Sequence, residues 1–192
     1  MRVFLGVPGG PEWIESARRL SRDLQSRLPK ASWTRPESWH LTVRFLGEIP
    51  EDSANRFAEL LDPAASVLAP GELRAAGPAL FPSLPRLRTI GVAFDREASE
   101  ALLGGVARAA EAAARAIGCE PETRPFRPHV TLARVRTPWP RSAAEDAANA
   151  IREWPLPAWR VGSLVLYRSR LDPAGAVHAL LHEWRAAAEV RA

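Results

Sequence analysis

Apolar positions along the chain switch repeatedly between a spacing of two and a spacing of three to four, and the switches divide it into strands and helices. Residues 2–7 are a short apolar run, too brief for a helix, and predict a first strand. Pro11-Glu12-Trp13 then opens a helix to about Leu28, because Ile14, Ala17, Leu20, Leu24 and Leu28 recur at helical spacing and Pro29 stops it. Residues 39–46 are rich in β-branched and aromatic side chains and end at Gly47, a strand. Residues 53–61 read as a short helix after the turn at Pro50-Glu51-Asp52. The Pro-rich stretch that follows has room for short strands around Leu73 and Leu80, and residues 87–94 read as another strand. Asp95 or Ser99 can cap the Ala-rich helix that reaches Ile117 and ends at Gly118. A strand over 126–135, a helix over 142–151 and a strand over 161–167 complete the pattern. Residues 176–184 fit a strand or a helix equally well.

One order of elements occurs twice. A strand at 3–7, a helix at 11–28 and a strand bearing His40 are echoed by a strand at 90–94, a helix at 95–117 and a strand bearing His129. Two similar halves facing one another place His40 and His129 on either side of one cleft. No Gly/Ser tract separates the halves, so the expectation is two lobes of a single domain spanning residues 1–192.

Composition narrows the classes. With 192 residues, 46% hydrophobic and 25% charged, the chain is long enough to bury a core and ordinary enough to be soluble. Twelve glycines and eighteen prolines are too few for a low-complexity chain. No apolar run approaches the roughly 18 residues of a membrane helix, and the opening run is too short for a signal peptide. The lone Cys119 excludes an intrachain disulfide and a Cys-rich zinc site, and it fits a cytoplasmic protein. The net charge is +4, and Lys30 is the only lysine. Arginine grips phosphate with a planar fork and stacks on bases, so the charge suits a nucleotide or RNA ligand; a biased genome composition would give the same charge. Neither a P-loop nor Gly-x-Gly-x-x-Gly occurs, which argues against ATP-driven chemistry.

Four histidines are present, and two of them open the same short pattern: His40-Leu41-Thr42-Val43 and His129-Val130-Thr131-Leu132. With only six threonines in the chain, a Thr two places after a given His has a chance of about 3%. Side chains at i and i+2 of a strand share a face, so each His projects with its Thr while Leu41, Val43, Val130 and Leu132 point into apolar packing. Two such pairs present two imidazoles and two hydroxyls to one cavity. One neutral imidazole can act as base and one protonated imidazole as acid, while hydroxyls and arginines hold a phosphate. That constellation suits phosphoryl transfer without a metal.

At these residues the chain resembles the 2H phosphoesterase superfamily, and within it the bacterial and archaeal RNA 2′,3′-cyclic phosphodiesterases, also named 2′-5′ RNA ligases. The resemblance runs through Trp39-His40-Leu41-Thr42-Val43-Arg44-Phe45-Leu46-Gly47-Glu48 and Phe126-Arg127-Pro128-His129-Val130-Thr131-Leu132-Ala133-Arg134, with further likeness at residues 2–7 and 165–169. The segment after Asp172 matches least. What the resemblance implies is a bilobal α+β fold, two antiparallel sheets with outer helices around a central cleft, related by a pseudo-twofold. It also implies hydrolysis of a 2′,3′-cyclic phosphate to a 2′-phosphomonoester, together with reversible 2′-5′ RNA ligation. By the same analogy His40 is the general acid, His129 the general base, and Thr42 and Thr131 bind phosphate oxygens. No cofactor and no metal are implied; RNA ends or nucleotides are the expected partners, no membrane is involved, and a monomer is expected.

Further candidates each have a plainer reading. By family analogy Arg134 lies near the phosphate or base, against a solvated strand-end arginine. Phe45 stacks on a nucleobase or packs in the core. Arg44 shares the His40 face if its strand is regular, and Arg127 stands at the entrance, although both are more often solvated charges. Trp39 is the one tryptophan placed to matter. His178 and His182 share a face if helical, as metal ligands do, but lack a third ligand and read as surface residues. Cys119 reads as packing. The alternatives to the cyclic phosphodiesterase are a non-catalytic RNA- or nucleotide-binding module, a metal-dependent hydrolase using His178 and His182, and a phosphodiesterase for another cyclic phosphate or for 2′-5′ oligonucleotides.

Overall fold

The computed structural model describes residues 1–172 and 175–186. Its strands are β1 (Arg2–Pro8), β2 (Ser32–Trp33), β3 (His40–Glu48), β4 (Gly71–Leu73), β5 (Ala75–Phe81), β6 (Thr89–Phe94), β7 (His129–Arg134), β8 (Trp159–Val161), β9 (Ser163–Asp172) and β10 (Gly175–Arg185). The helices are α1 (Pro11–Arg27), α2 (Glu51–Ala65), α3 (Arg96–Ala116) and α4 (Arg141–Glu153). One antiparallel sheet runs in the order β10-β9-β1-β3-β7-β6-β5 with β2 beside β7, and β4 and β8 form a second, two-stranded sheet.

The order reads the same from both ends of its inner part. Strands β9-β1-β3 form one lobe and β5-β6-β7 the other, so β1 corresponds to β6, β3 to β7 and β9 to β5. Helix α1 packs on α4 and α3 on α2, the partners that exchanging the halves demands. Strands β4 and β8, which are also equivalent, pair with each other. The anticipated repeat is therefore real, and it extends beyond the strand, helix and strand read from sequence. Among the described residues, β10 and the two-residue β2 lack counterparts.

Within the large sheet β3 meets β7 at one bridge, Leu41 to Val130. Both side chains are fully buried in the core that the helices cover. Next to this bridge β2 takes over the same edge of β7, with Ser32 opposite Arg134 and Trp33 opposite Ala133. Strands β2 and β3 thus line one edge together, and a 3-10 turn at Pro36–Ser38 is looped out between them. A two-residue strand has no period to detect, which is why β2 is invisible in sequence.

Most expected elements are present within a few residues, and the departures have causes. Strand β7 starts at His129 and not at 126, because Pro128 has no N–H for a ladder; its carbonyl accepts from Phe94 N at 3.1 Å. The strand expected over 161–167 is two strands, parted at Gly162 where the chain passes from the small sheet to the large one. Residues 176–184 are strand, since β10 pairs along its length with β9. Of the two proposed caps, Asp95 is the one used, its carboxylate accepting from Ala98 N at 2.7 Å.

Two glycine substitutions should change stability in opposite directions. A methyl at Gly91 would overlap the Val130 carbonyl, so Gly91→Ala should cost about 2 kcal/mol or more in urea unfolding. Gly105, mid-helix in α3 with open space around it, should gain about 0.5–1 kcal/mol as alanine.

Candidate active site

Strands β3 and β7 carry the same irregularity at the same place. Gly6 pairs with Thr42 and Leu5 with Arg44, so Val43 is bulged out of the ladder. Gly91 pairs with Thr131 and Ile90 with Ala133, so Leu132 is bulged likewise. A bulge reverses the alternation of faces beyond it. Burial follows suit: both strands read half-buried, buried, half-buried, buried, buried, exposed from their histidine onward. His40, Thr42 and Phe45 therefore share one face, as do His129, Thr131 and Arg134. Phe45 and Arg134 are equivalent positions filled by different chemistry.

The glycines opposite the threonines make the bulges possible. At Gly6 a Cβ would meet Leu41 O at 2.9 Å, and at Gly91 it would overlap Val130 O. Continuing the antiparallel register of the Leu41–Val130 bridge by one residue sets His40 across from Thr131 and His129 across from Thr42. One bridge thus brings both His-x-Thr pairs to the mouth of one cleft.

The two imidazoles are tethered alike. His40 Nδ1 lies 2.7 Å from Ser38 O, and His129 Nδ1 lies 2.7 Å from Arg127 O. A carbonyl only accepts, so each Nδ1 carries the hydrogen and donates it, leaving Nε2 of each ring to take or give a proton.

Their surroundings differ. His40 stacks on Phe4 with centroids 4.4 Å apart, and Phe4 stacks on Tyr167 at 5.0 Å. Burial among these rings pulls the His40 pKa down to about 4, against the upward pull of the Ser38 hydrogen bond; protonation of His178 or His129 would lower it further. His129 meets a single ring, the edge of Phe81 at 4.7 Å. Its pKa is also lowered, chiefly by burial and further by the Arg134 charge. Tyr167, equivalent to Phe81 in the other lobe, has its hydroxyl pushed up to about 12 by burial and by Glu183.

Four further positions from the sequence reading can now be placed. Arg44 does not line the cleft: the Val43 bulge turns it into the core, where it is buried, donates to Glu111 Oε2 and Glu120 O at 2.8 and 2.7 Å, and contacts Phe45 O. Trp39 is buried on Trp13. Arg127 is exposed, and its main-chain carbonyl holds His129. Cys119 packs as expected, its Sγ 3.6 Å from Leu46 O, and burial pushes its thiol up.

The two remaining histidines part company. His182 lies against Trp184 and is exposed. His178 is no surface residue: it is half-buried with its ring 5.1 Å from that of His40. Sequence reasoning missed Phe4, Tyr167, Phe81 and His178. Their shared face becomes visible only once the strand order is known. Among the described residues no group of three or more His, Cys, Asp or Glu side chains is placed to hold a metal, and no helix is long and apolar enough to cross a membrane.

Each of the two equivalent lobes thus contributes one tethered His-x-Thr beside the Leu41–Val130 bridge. The comparisons give the family. The model for LigT like Phosphoesterase matches residues 10–90 and 96–178, one match per half and one His-x-Thr in each; the chain belongs to this family. It is 33% identical over 192 aligned positions to the RNA 2′,3′-cyclic phosphodiesterase of Thermus thermophilus, covering 96% of this chain and 89% of that protein. The RNA 2′,3′-cyclic phosphodiesterase of Geobacillus stearothermophilus is 31% identical over 173 residues, 88% of this chain; the match spans about half, 52%, of that longer relative. Among solved structures, TT0787 of Thermus thermophilus superposes with a TM-score of 0.75 at 26% identity, covering 96% of this chain and 97% of that one. Escherichia coli LigT complexed with 3′-AMP gives 0.72 at 20% identity over the same shares, a likeness of fold.

The depressed His40 pKa has a measurable consequence for stability. An unfolded histidine titrates near 6.5 and folded His40 near 4, so between these values the unfolded chain binds the extra proton. His40's share of stability is present above pH 6.5 and is lost as pH falls toward 4. The melting temperature of His40→Asn should therefore fall less over that window than that of the parent, in scanning calorimetry at matched ionic strength.

Proposed function

We propose that the chain hydrolyses the 2′,3′-cyclic phosphate of RNA ends or nucleosides to the 2′-phosphomonoester, by acid and base action of His40 and His129 and without a metal. The observation that carries this reading is the duplicated tether: two histidines on one cleft, each with Nδ1–H held by the carbonyl two residues before it. In hydrolysis, His129 Nε2 takes a proton from water as the water oxygen bonds to phosphorus. The bond from phosphorus to the 3′ oxygen breaks, and His40 Nε2–H delivers a proton to that oxygen. One water is consumed and the pair ends with its proton exchanged between rings. Joining a cyclic phosphate to a 5′ hydroxyl follows the same steps with that hydroxyl in place of water: its oxygen bonds to phosphorus, His129 takes its proton, and His40 protonates the departing 3′ oxygen to leave a 2′-5′ diester.

The electrostatics support this division. A buried imidazolium is costly in the empty cleft, and the phosphate anion supplies the charge that stabilises it. His40 is then protonated mainly when substrate is bound, as a strong acid beside its leaving group. Thr42 and Thr131 donate to the nonbridging oxygens, Arg134 pairs with the phosphate, and Phe45, 43% exposed at the cleft, offers a face to a base. RNA ends in the cytoplasm are the natural class of substrate, and a monomer suffices, since both histidines come from one chain.

Phosphorus NMR with a nucleoside 2′,3′-cyclic phosphate in excess chelator tests the reading. A 2′-monoester should form, and His40→Ala and His129→Ala should each lower kcat by about 100-fold or more. A 3′-monoester would reverse the leaving group, and turnover lost to chelator would overturn the metal-free step. Binding without turnover of any cyclic phosphate would favour the non-catalytic module. Phe45→Ala should raise KM about fivefold or more with kcat little changed.

A further inference from the structure

His178 has no counterpart in the second lobe, because β10 has none. It pairs with Ser169 on β9, on the far side of Arg2, yet its ring meets two rings of the cleft edge-on: His40 at 5.1 Å and 88°, and Phe4 at 4.9 Å and 80°. Tyr167 lies 6.0 Å away. A second tie comes through Ser38. Its main-chain carbonyl holds His40 Nδ1, and its hydroxyl donates to Ala176 O at 2.9 Å, two residues before His178 on β10. The start of the C-terminal strand is thereby fastened to the same residue that orients His40.

We propose that His178 is a positioning residue for His40: held on β10 as a neutral aromatic wall, it closes the apolar side of the His40 imidazole and keeps its Nε2 aimed at the phosphate. This rests on the reading of His40 as a proton-transfer group. Neutrality follows from the surroundings. The Nδ1 of His178 is buried with no hydrogen-bond partner, so a second N–H there would be unsatisfied. The groups that face the ring are Arg2 of β1, His40 of β3 and Tyr167 of β9, with Glu183 of β10 beside Tyr167 and His129 of β7 beyond His40. None of those in contact is an anion, so nothing stabilises an imidazolium at 178. Burial and Arg2 both hold its pKa below the ordinary value. A neutral ring that excludes water from one side of His40 makes the two candidate histidines unequal, although their strands are equivalent.

NMR titration of the histidine side chains in the full chain, paired with kinetics on a nucleoside 2′,3′-cyclic phosphate, tests this. In His178→Ala the His40 midpoint should rise from about 4 toward the ordinary 6.5, and His129 should titrate as before. The kcat should fall about tenfold with KM within about twofold, as expected for a misaimed group. His178→Phe, which keeps the wall and removes the nitrogens, should restore both readouts. Ser38→Ala, which removes no ring but loosens the strand that carries His178 by freeing Ala176, should move the His40 midpoint part of the way. An unmoved His40 midpoint in His178→Ala would overturn the proposal, and so would a phenylalanine variant that behaves like alanine. The titration needs no turnover, so a parent chain inactive on cyclic phosphates would sink the proposed activity while the placement of His178 is still decided.

Discussion

The cleft depends on one antiparallel bridge, Leu41 to Val130, and on the two glycines that let the strands beside it deform. The bridge sets the distance between the lobes and the register of both His-x-Thr pairs. Gly6 and Gly91 allow the carbonyls of Leu41 and Val130 to press inward, and the bulges at Val43 and Leu132 follow. Without the bulges, Arg44 and Ala133 would occupy the cleft face, and Phe45 and Arg134 would point into the core. A single packing constraint, repeated, thus decides which side chains a ligand meets.

Symmetry supplies the frame, and departures from it supply the chemistry. Equivalent positions hold Phe45 and Arg134, Phe4 and Thr89, Tyr167 and Phe81. One lobe therefore gathers several rings around its histidine, and the other sets Phe81 alone beside Thr89 and Arg134. A nucleotide is itself a flat apolar base joined to an anion, so the two halves divide between them the features of such a ligand. Strand β10 deepens the difference by adding a ring to the aromatic side alone.

Much of this was legible in the chain. The duplicated His-x-Thr, the repeated order of strand and helix, and the breakers at Pro29 and Gly118 each act within a few residues, where local sequence governs. Arg44 was misplaced because strict alternation was assumed, and a bulge is a property of two strands, not one. His178 looked like a surface residue because its neighbours lie more than a hundred residues away, on β1 and β3. The cleft rings share a face only through the strand order. That order is fixed by how the helices cover the core, which no periodicity reports.

The tether of the two histidines is made by main-chain atoms. Since Ser38 and Arg127 contribute carbonyl oxygens, replacing either side chain leaves the acceptor in place, and the tautomer of each imidazole is insulated from most substitutions at those positions. What the tether requires is a backbone path. On the second strand Pro128 helps to fix it, between the carbonyl and the ring it holds. The part of the cleft that sets which nitrogen carries its proton is therefore also the part that drift in sequence can least easily reach.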